Sequence, residues 1–194
     1  MTTHTTSSSQ RRLTWDDYVR MPDDGQRREI IDGVPCVSPS PETGHQYSSV
    51  RLSHLIVAWM DATNDDGVLL TSPIDVILED TDQTVTTVQP DLVYLRGFKR
   101  PLVVRRGIIG APDLVVEILS PGHPDHDRVT KRGLYERHTI PEYWIIDRTA
   151  RTIEVLRLDG AFYKPAGRFG VGDVVTTPLL RGLEIDVASV TRDP

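Results

Sequence analysis

The 194-residue chain is poor in cysteine and has no long apolar run. Its single cysteine, Cys36, excludes an intrachain disulfide and a cysteine-rich zinc site, and it fits a reducing, cytoplasmic location. Because no apolar segment approaches the roughly 20 residues that span a bilayer, we expect no membrane partner. The net charge of -6 argues against strong indiscriminate binding to nucleic acid, although a site built from carboxylates contributes negative charge itself.

The N-terminus is polar and rich in threonine and serine. It lacks the apolar core of a signal peptide, and we predict a disordered tail over residues 1–12. The remaining residues, 13–194, contain no repeat and no linker, and their number suits one core. The sequence therefore predicts a single domain after the tail.

Strand-like and helix-like segments alternate along this domain. A capping box at Thr14 predicts a short helix, and Asp32-Gly33 predicts the turn of a hairpin. Apolar spacing predicts a core-packed helix over residues 45–61. We expect strands over residues 68–70, 74–78, 88–95, 114–119, 142–147 and 152–158, a surface loop over residues 96–110 and a second long helix over residues 125–138. This order predicts an α/β fold (α+β in its mixed sheet), with helices flanking a central mixed β-sheet.

Glu117 is the most informative residue of the sequence. It lies inside the apolar run Leu114–Leu119, which has the composition of a strand buried on both faces. An ionised carboxylate in such a place is costly unless it is paired or binds a cation. Asp91 opens the preceding strand-like run, and Asp113 precedes the run that carries Glu117. Carboxylates brought together on neighbouring buried strands favour a hard divalent cation.

A helix is expected after the Glu117 strand, and residues four apart on it share one face. Asp127, Lys131 and Tyr135 form such a row. If the helix packs over the sheet, Lys131 points back at the carboxylates, where it can orient a water or neutralise a phosphoryl group.

Each of these residues also has a structural interpretation. Glu117 can form a salt bridge to an arginine, and Lys131 can be a solvated partner of Asp127. Asp91 and Asp113 each follow proline in a dipeptide that is common at turns and strand starts. His123 and His126 lie in a loop without a third ligand at zinc spacing.

The order of the motifs resembles the Uma-two type family of restriction-endonuclease-like proteins, within the PD-(D/E)xK nuclease superfamily. The resemblance covers nearly the whole chain from Leu13 to about Val190. The matching stretches are residues 13–18, 28–33, 38–41 with His45, 89–92, 111–121, Asp127 with Lys131 and Tyr135, and 140–147.

The resemblance implies a restriction-endonuclease-like core with a metal site. By the superfamily pattern, Asp91 and Glu117 are the acidic residues that bind Mg²⁺, which Mn²⁺ can replace. Glu29 corresponds to the acidic residue from the N-terminal part, and His45 lies where the family tends to carry a histidine near the site. These residues and Lys131 are the candidate catalytic set.

The sequence departs from the superfamily pattern at one position. A lysine is expected two residues after Glu117, where this chain has Leu119. The family resemblance implies that the following helix supplies the lysine, which makes Lys131 the candidate. Asp113 competes with Asp91 for the aspartate role, but it is four residues from Glu117 on one strand. That separation is roughly 13 Å, at about 3.3 Å per residue, and it favours Asp91.

These features lead to three hypotheses. The first is a Mg²⁺-dependent DNA endonuclease, and a homodimer is expected because cutting both strands requires two sites. The second is a catalytically silent module of the same fold that binds nucleic acid or a protein. The third is a metal-dependent phosphoesterase acting on small nucleotides. Six basic residues are candidates for contacting the DNA backbone or, alternatively, an ordinary solvated surface: Lys99, Arg100, Arg105, Arg106, Arg128 and Arg132.

Overall fold

The computed structural model describes residues 11–22, 27–38, 41–120 and 126–194. The predicted disordered tail lies outside the described residues up to residue 10. Residues 23–26, 39–40 and 121–125, which include His123 and the predicted start of the second long helix, also lie outside them.

Strands contain more of the described residues than helices do. In chain order they are β1 (Arg27–Ile31), β2 (Val34–Ser38), β3 (Val68–Thr71), β4 (Val76–Asp80), β5 (Val85–Val88), β6 (Leu92–Leu95), β7 (Val103–Val104), β8 (Gly107–Ile109), β9 (Leu114–Ile118), β10 (Glu142–Asp147), β11 (Thr152–Asp159), β12 (Phe162–Phe169), β13 (Val174–Val175) and β14 (Ile185–Asp186).

The helices are few, and the longest is in the N-terminal half of the chain. They are α1 (Trp15–Val19), α2 (Thr43–Thr63), α3 (Arg132–Arg137) and α4 (Val187–Thr191), with a 3₁₀ helix over Gly97–Leu102 and a π-helix over His126–Lys131. The capping box predicted for α1 is present between Thr14 and Asp17. No helix in the described ranges is long and apolar enough to cross a membrane.

Two six-stranded sheets form the body of the protein. The main sheet has the order β12-β11-β10-β9-β6-β3, in which β9 and β10 are parallel and the other neighbours are antiparallel. The second sheet has the order β2-β1-β5-β4-β8-β7. The β1–β2 hairpin turns at Asp32 and Gly33, whose φ angles of 51° and 76° suit the tight turn that the sequence predicts.

The main sheet is buried on both faces. One face packs against α2, where Leu52 and Ile56 meet Val116 and Trp144. The other face packs against the second sheet and α3, and Val115 lies in that core. The predicted class, a mixed α/β fold with helices on both sides of a mixed sheet, is confirmed. The sequence predicts a single central sheet, and the structure has a second six-stranded sheet beside it.

Two local predictions differ from the structure. The segment 88–95 is not one strand, because β5 ends at Val88 in the second sheet and β6 begins at Leu92 in the main sheet. The segment 96–110 is not a simple loop but contains a 3₁₀ helix and the β7–β8 hairpin. The crossing between sheets brings Gln89, Pro90 and Asp91 to the junction that carries the candidate site.

Candidate active site

Glu117 lies on β9, between β6 and β10 in the middle of the main sheet. Side chains alternate along a strand, so Glu117 shares the face of Val115, which is directed toward the second sheet and α3. Glu117 is only 2% exposed. A carboxylate buried this deeply requires hydrogen-bonding or charged partners.

The partners of Glu117 come from the helical segment after the strand. The Lys131 ammonium lies 2.9 Å from Glu117 Oε1, and the Tyr135 hydroxyl donates to the same oxygen at 2.6 Å. Lys131 and Asp127 are both buried in the π-helix, and their charged groups are 3.7 Å apart. The predicted row therefore faces the carboxylate, and the partner found for Glu117 is Lys131 rather than an arginine.

Lys131 also joins the two sheets. Its ammonium lies 2.9 Å from Oε1 of Glu29, which is fully buried on β1 of the second sheet. The Gln89 amide donates to the same Glu29 oxygen at 2.8 Å, and His126 Nε2 is 3.5 Å from Oε2. One lysine thus contacts a carboxylate from each sheet.

Asp91 lies beside Glu117. The β6–β9 register pairs Leu92 with Val116, and its continuation places Asp91 opposite Glu117. Asp91 Oδ2 accepts a hydrogen bond from the Ile118 amide at 2.7 Å and lies 3.0 Å from His45 Nε2. The structure therefore brings all five sequence-predicted residues into one region.

Arg27 is a site residue that the sequence analysis missed. Its guanidinium donates to Asp91 Oδ1 at 3.1 Å and also to the Gln89 carbonyl. Arg27 and Glu29 are two apart on β1, so the period-two rule places them on one face once Glu29 is a candidate. Its contact with Asp91 spans 64 residues, which no local pattern indicates.

Burial raises the pKa values of the carboxyl groups in this region, and the nearby positive charges lower them. Burial, reinforced by Asp127, Asp91 and Glu29, outweighs the Lys131 ammonium and raises the pKa of Glu117 to about 8. Burial also raises the pKa of Asp127. For Glu29 burial is again the largest effect, but Lys131 and the hydrogen bonds from His126 and Gln89 hold its pKa well below the usual range.

Asp91 and Lys131 are stabilised in their charged forms. Burial alone would raise the pKa of Asp91, but His45 and Arg27 lower it. Burial alone would lower the pKa of Lys131, but Glu117, Glu29 and Asp127 raise it. The region is therefore rich in carboxylates and contains one firmly charged ammonium.

Asp113 lies away from this region. It is fully buried, accepts hydrogen bonds from the Arg96 backbone and guanidinium, and lies 3.2 Å from the Lys99 ammonium. These contacts anchor the segment after β6. Two other basic candidates have structural partners too, since Arg128 pairs with Asp147 and Glu154, and Arg132 donates to the Tyr163 carbonyl.

Two clefts open at His45. The larger, of about 490 Å³, is lined by Leu119, Ser120 and several arginines. The smaller, of about 260 Å³, is lined by Arg27, Asp91 and polar residues of α2. The carboxylate region therefore has an opening on two sides.

The donor set suits a hard divalent cation. Among the described residues no three His, Cys, Asp or Glu side chains are arranged as a metal cage. Mg²⁺ commonly uses only one or two protein carboxylates, together with waters and substrate phosphates. Asp91 and Glu117 provide such a pair. Burial, reinforced by the neighbouring carboxylates, raises the pKa of Glu117, and a divalent cation bound there would lower it.

The chain belongs to the Uma2 family, described as "Putative restriction endonuclease", whose model matches residues 15–188. The match includes all five candidate residues. A comparison with curated proteins finds no match.

One similar solved structure is a "putative nuclease belonging to DUF820" from Anabaena variabilis ATCC 29413. It superposes with a TM-score of 0.75 over 92% of this chain and 97% of that chain, at 19% sequence identity. At this identity the likeness establishes the fold and confirms the predicted restriction-endonuclease-like core, whereas function must be argued from the site.

Proposed function

We propose that the protein is a divalent-metal-dependent DNA endonuclease that uses Mg²⁺, with Mn²⁺ as a substitute. The observation that carries the proposal is the Lys131 ammonium, held 2.9 Å from both Glu117 and Glu29, with Asp91 immediately before the strand that neighbours Glu117. A buried lysine beside acidic residues from neighbouring strands is the combination expected for phosphodiester hydrolysis.

Asp91 and Glu117 would hold the cation. When bound, it would supply Lewis-acid polarisation of the phosphodiester and lower the pKa of a water. His45 and the Ile118 amide hold Asp91 in a fixed orientation, and Tyr135 does the same for Glu117. His45, Tyr135 and Glu29 are therefore proposed as positioning residues.

Lys131 is proposed as the catalytic cation. Its position is fixed by Glu29, which is anchored in turn by the Gln89 amide. From this place the ammonium can orient the attacking water and stabilise negative charge that develops on the phosphate. Lys131 would thus replace the catalytic lysine that the superfamily pattern expects at position 119, where this chain has a leucine.

The test is cleavage of supercoiled and linear DNA with Mg²⁺, with Mn²⁺ and with EDTA. We expect metal-dependent cutting that, per folded molecule, falls at least about 100-fold in Glu117→Gln and Lys131→Met, a loss typical for removal of one charge-stabilising group. Val57→Ala, on the exposed face of α2, is the control and should cut normally. Equal cutting by wild type and both site variants would refute the assignment.

A second function, a silent nucleic-acid-binding module, is favoured by one observation. Both Asp91 oxygens already accept hydrogen bonds from protein groups, including the Arg27 guanidinium. A module of this kind would bind DNA without cutting it, and neither Mg²⁺ nor Mn²⁺ would change its thermal stability. That pair of results would replace the endonuclease proposal.

We also propose that the enzyme is a cytoplasmic homodimer with a single domain over residues 13–194. The argument for a dimer is functional, because cutting both strands of a duplex requires two sites. Light scattering of the purified protein would give twice the monomer mass of 21.8 kDa if this is correct.

A further inference from the structure

The larger cleft at His45 is basic. It starts at Leu119 and Ser120, directly after the Glu117 strand, and is lined by Arg148, Arg151 and Arg192. These arginines outnumber the two acidic residues of the lining, Glu42 and Asp193. The protein as a whole is acidic, so a concentration of arginines beside the carboxylate region indicates an anionic ligand.

Arg148 is fitted closely into the wall of this cleft. A Cβ atom at Gly44 would lie 1.8 Å from Arg148 Nη1, so any larger residue there would displace the guanidinium from its contact with α2. Arg148 Nε is buried and has no hydrogen-bond partner. The carboxylate paired with Arg148 belongs to Asp193, whose side chain is 93% exposed. An incoming anion can therefore replace Asp193 at the guanidinium, because the displaced Asp193 carboxylate stays in contact with solvent.

The first turn of α2 completes this wall. Its N-cap residue, Glu42, makes no side-chain capping hydrogen bond, and the helix is 21 residues long. The first amides of such a helix lack intrahelical partners and favour anions. His45 lies in the same turn, is 7% exposed, and its Nδ1 atom has no hydrogen-bond partner. This buried, unpartnered nitrogen is a separate indication of a ligand at the cleft.

We propose that this cleft binds a backbone phosphate of the DNA substrate that neighbours the phosphate to be cut, with Arg148 as the principal donor. The inference rests on the proposed function, since His45 joins the cleft to Asp91. Arginine can bind a phosphate through two parallel N–H donors. A contact with a backbone phosphate carries no information about the base sequence. The cleft would therefore set affinity and register, and not the recognition sequence.

The test is binding of a fluorescein-labelled duplex in EDTA, followed by anisotropy over a range of salt concentrations. We expect Arg148→Gln to weaken binding about tenfold and to reduce the salt slope by about one. Gly44→Ala should weaken binding similarly, because its methyl group displaces the guanidinium while alanine remains favourable in a helix.

Two matched controls separate this effect from general ones. Gly133→Ala is also a helical glycine replacement, but nothing lies within 4 Å of its added Cβ. Arg181→Gln also removes one positive charge, but its carbonyl contacts Trp59, roughly 20 Å along α2 from Gly44. Both controls should bind DNA as wild type does. If Arg148→Gln and Gly44→Ala bind as the controls do, the inference is overturned.

Cleavage by the same proteins with Mg²⁺ distinguishes the inference from the proposed function. Wild type that cuts, with Arg148→Gln raising KM and leaving kcat within about twofold, supports both. Wild type that binds through Arg148 but never cuts supports the phosphate site and refutes the endonuclease. Inorganic phosphate alone, titrated into the protein, should bind far more weakly than the duplex, and equal affinity would assign the cleft to free phosphate instead.

Discussion

Lys131 balances the charge of the buried region. Its ammonium contacts Glu29 and Glu117 at the same distance, and Asp127 lies slightly farther away. Burying these charges is costly, and the cost is offset only while the lysine and its partners are all present. The buried charges are therefore stable together, and removing any one of them should lower the free energy of unfolding.

Removing the Lys131 charge should destabilise the protein strongly. Lys131→Met keeps much of the side-chain volume but leaves Glu29 and Glu117 without their shared cation. We expect a loss of about 3–5 kcal/mol in the free energy of unfolding, measured by urea denaturation in EDTA. The exposed Lys164, whose partner Asp159 is also exposed, provides the control, and Lys164→Met should show no measurable loss. Equal stability of the two variants would contradict the charge-balance argument.

Asp91 and Asp113 should respond in opposite ways to the same replacement. Asp113→Asn weakens the contacts with Arg96, whose side chain is 48% exposed, and should cost roughly 1–3 kcal/mol while cleavage per folded molecule stays normal. Asp91→Asn should abolish metal-dependent cleavage. Activity assays corrected for the folded fraction check both. Loss of cleavage in Asp113→Asn alone would reverse the assignment of the two aspartates.

Contacts that follow from strand alternation or helical spacing can be predicted from local sequence patterns. Glu117 and Lys131 were predicted because they lie 14 residues apart on a strand and the helix after it. Arg27 was missed because its partner Asp91 is 64 residues away in the chain. Such a contact depends on how the two sheets pack, and that information is not local.

At the scale of elements, the crossing from β5 to β6 builds the site. The chain leaves the second sheet at Val88 and enters the main sheet at Leu92. The three residues between them provide the Gln89 amide for Glu29 and the Asp91 carboxylate beside Glu117. The sequence did not reveal this crossing, because Val88 and the residues of β6 are strand-forming and a proline is tolerated near the start of a strand.

Helix α2 should depend on the face that it buries. Ile56 is fully buried against the main sheet, whereas the neighbouring Val57 is 44% exposed. We expect Ile56→Ala to cost about 2–5 kcal/mol through lost burial and a cavity, and Val57→Ala to change stability by less than about 0.5 kcal/mol. Thermal or urea unfolding of the two variants measures the difference. Comparable losses would mean that α2 packs through another face.

The π-helix before α3 sets the direction of the row that faces Glu117. Asp127 and Lys131 are both buried within it, and Tyr135 follows on α3. Short π segments inside helices are frequent at functional sites. The sequence correctly predicted a helix here and the shared face of the row, but the change in helical type could not be read from spacing alone.

At the scale of the whole molecule, the site lies where two sheets meet. Glu117 and Asp91 come from the main sheet and its entry, Glu29 from the second sheet, and His45 from α2. The class of fold was predictable because apolar strand-like runs alternate with helix-like segments and because the family resemblance covers nearly the whole chain. The separation into two sheets was not, since it depends on long-range pairings such as β1 with β5.

A divalent cation should therefore stabilise the whole fold. Binding at Asp91 and Glu117 would relieve the repulsion among carboxylates from several elements, and a ligand at 100 times its Kd adds about 2.7 kcal/mol. For a protein of this size we expect Mg²⁺ to raise the Tm by about 5–10 °C over EDTA at matched ionic strength. Asp113→Asn should respond as wild type does, and Asp91→Asn should not respond. If neither Mg²⁺ nor Mn²⁺ changes the Tm of the wild type, the metal is removed from the proposal, and a module that binds nucleic acid without cutting it remains.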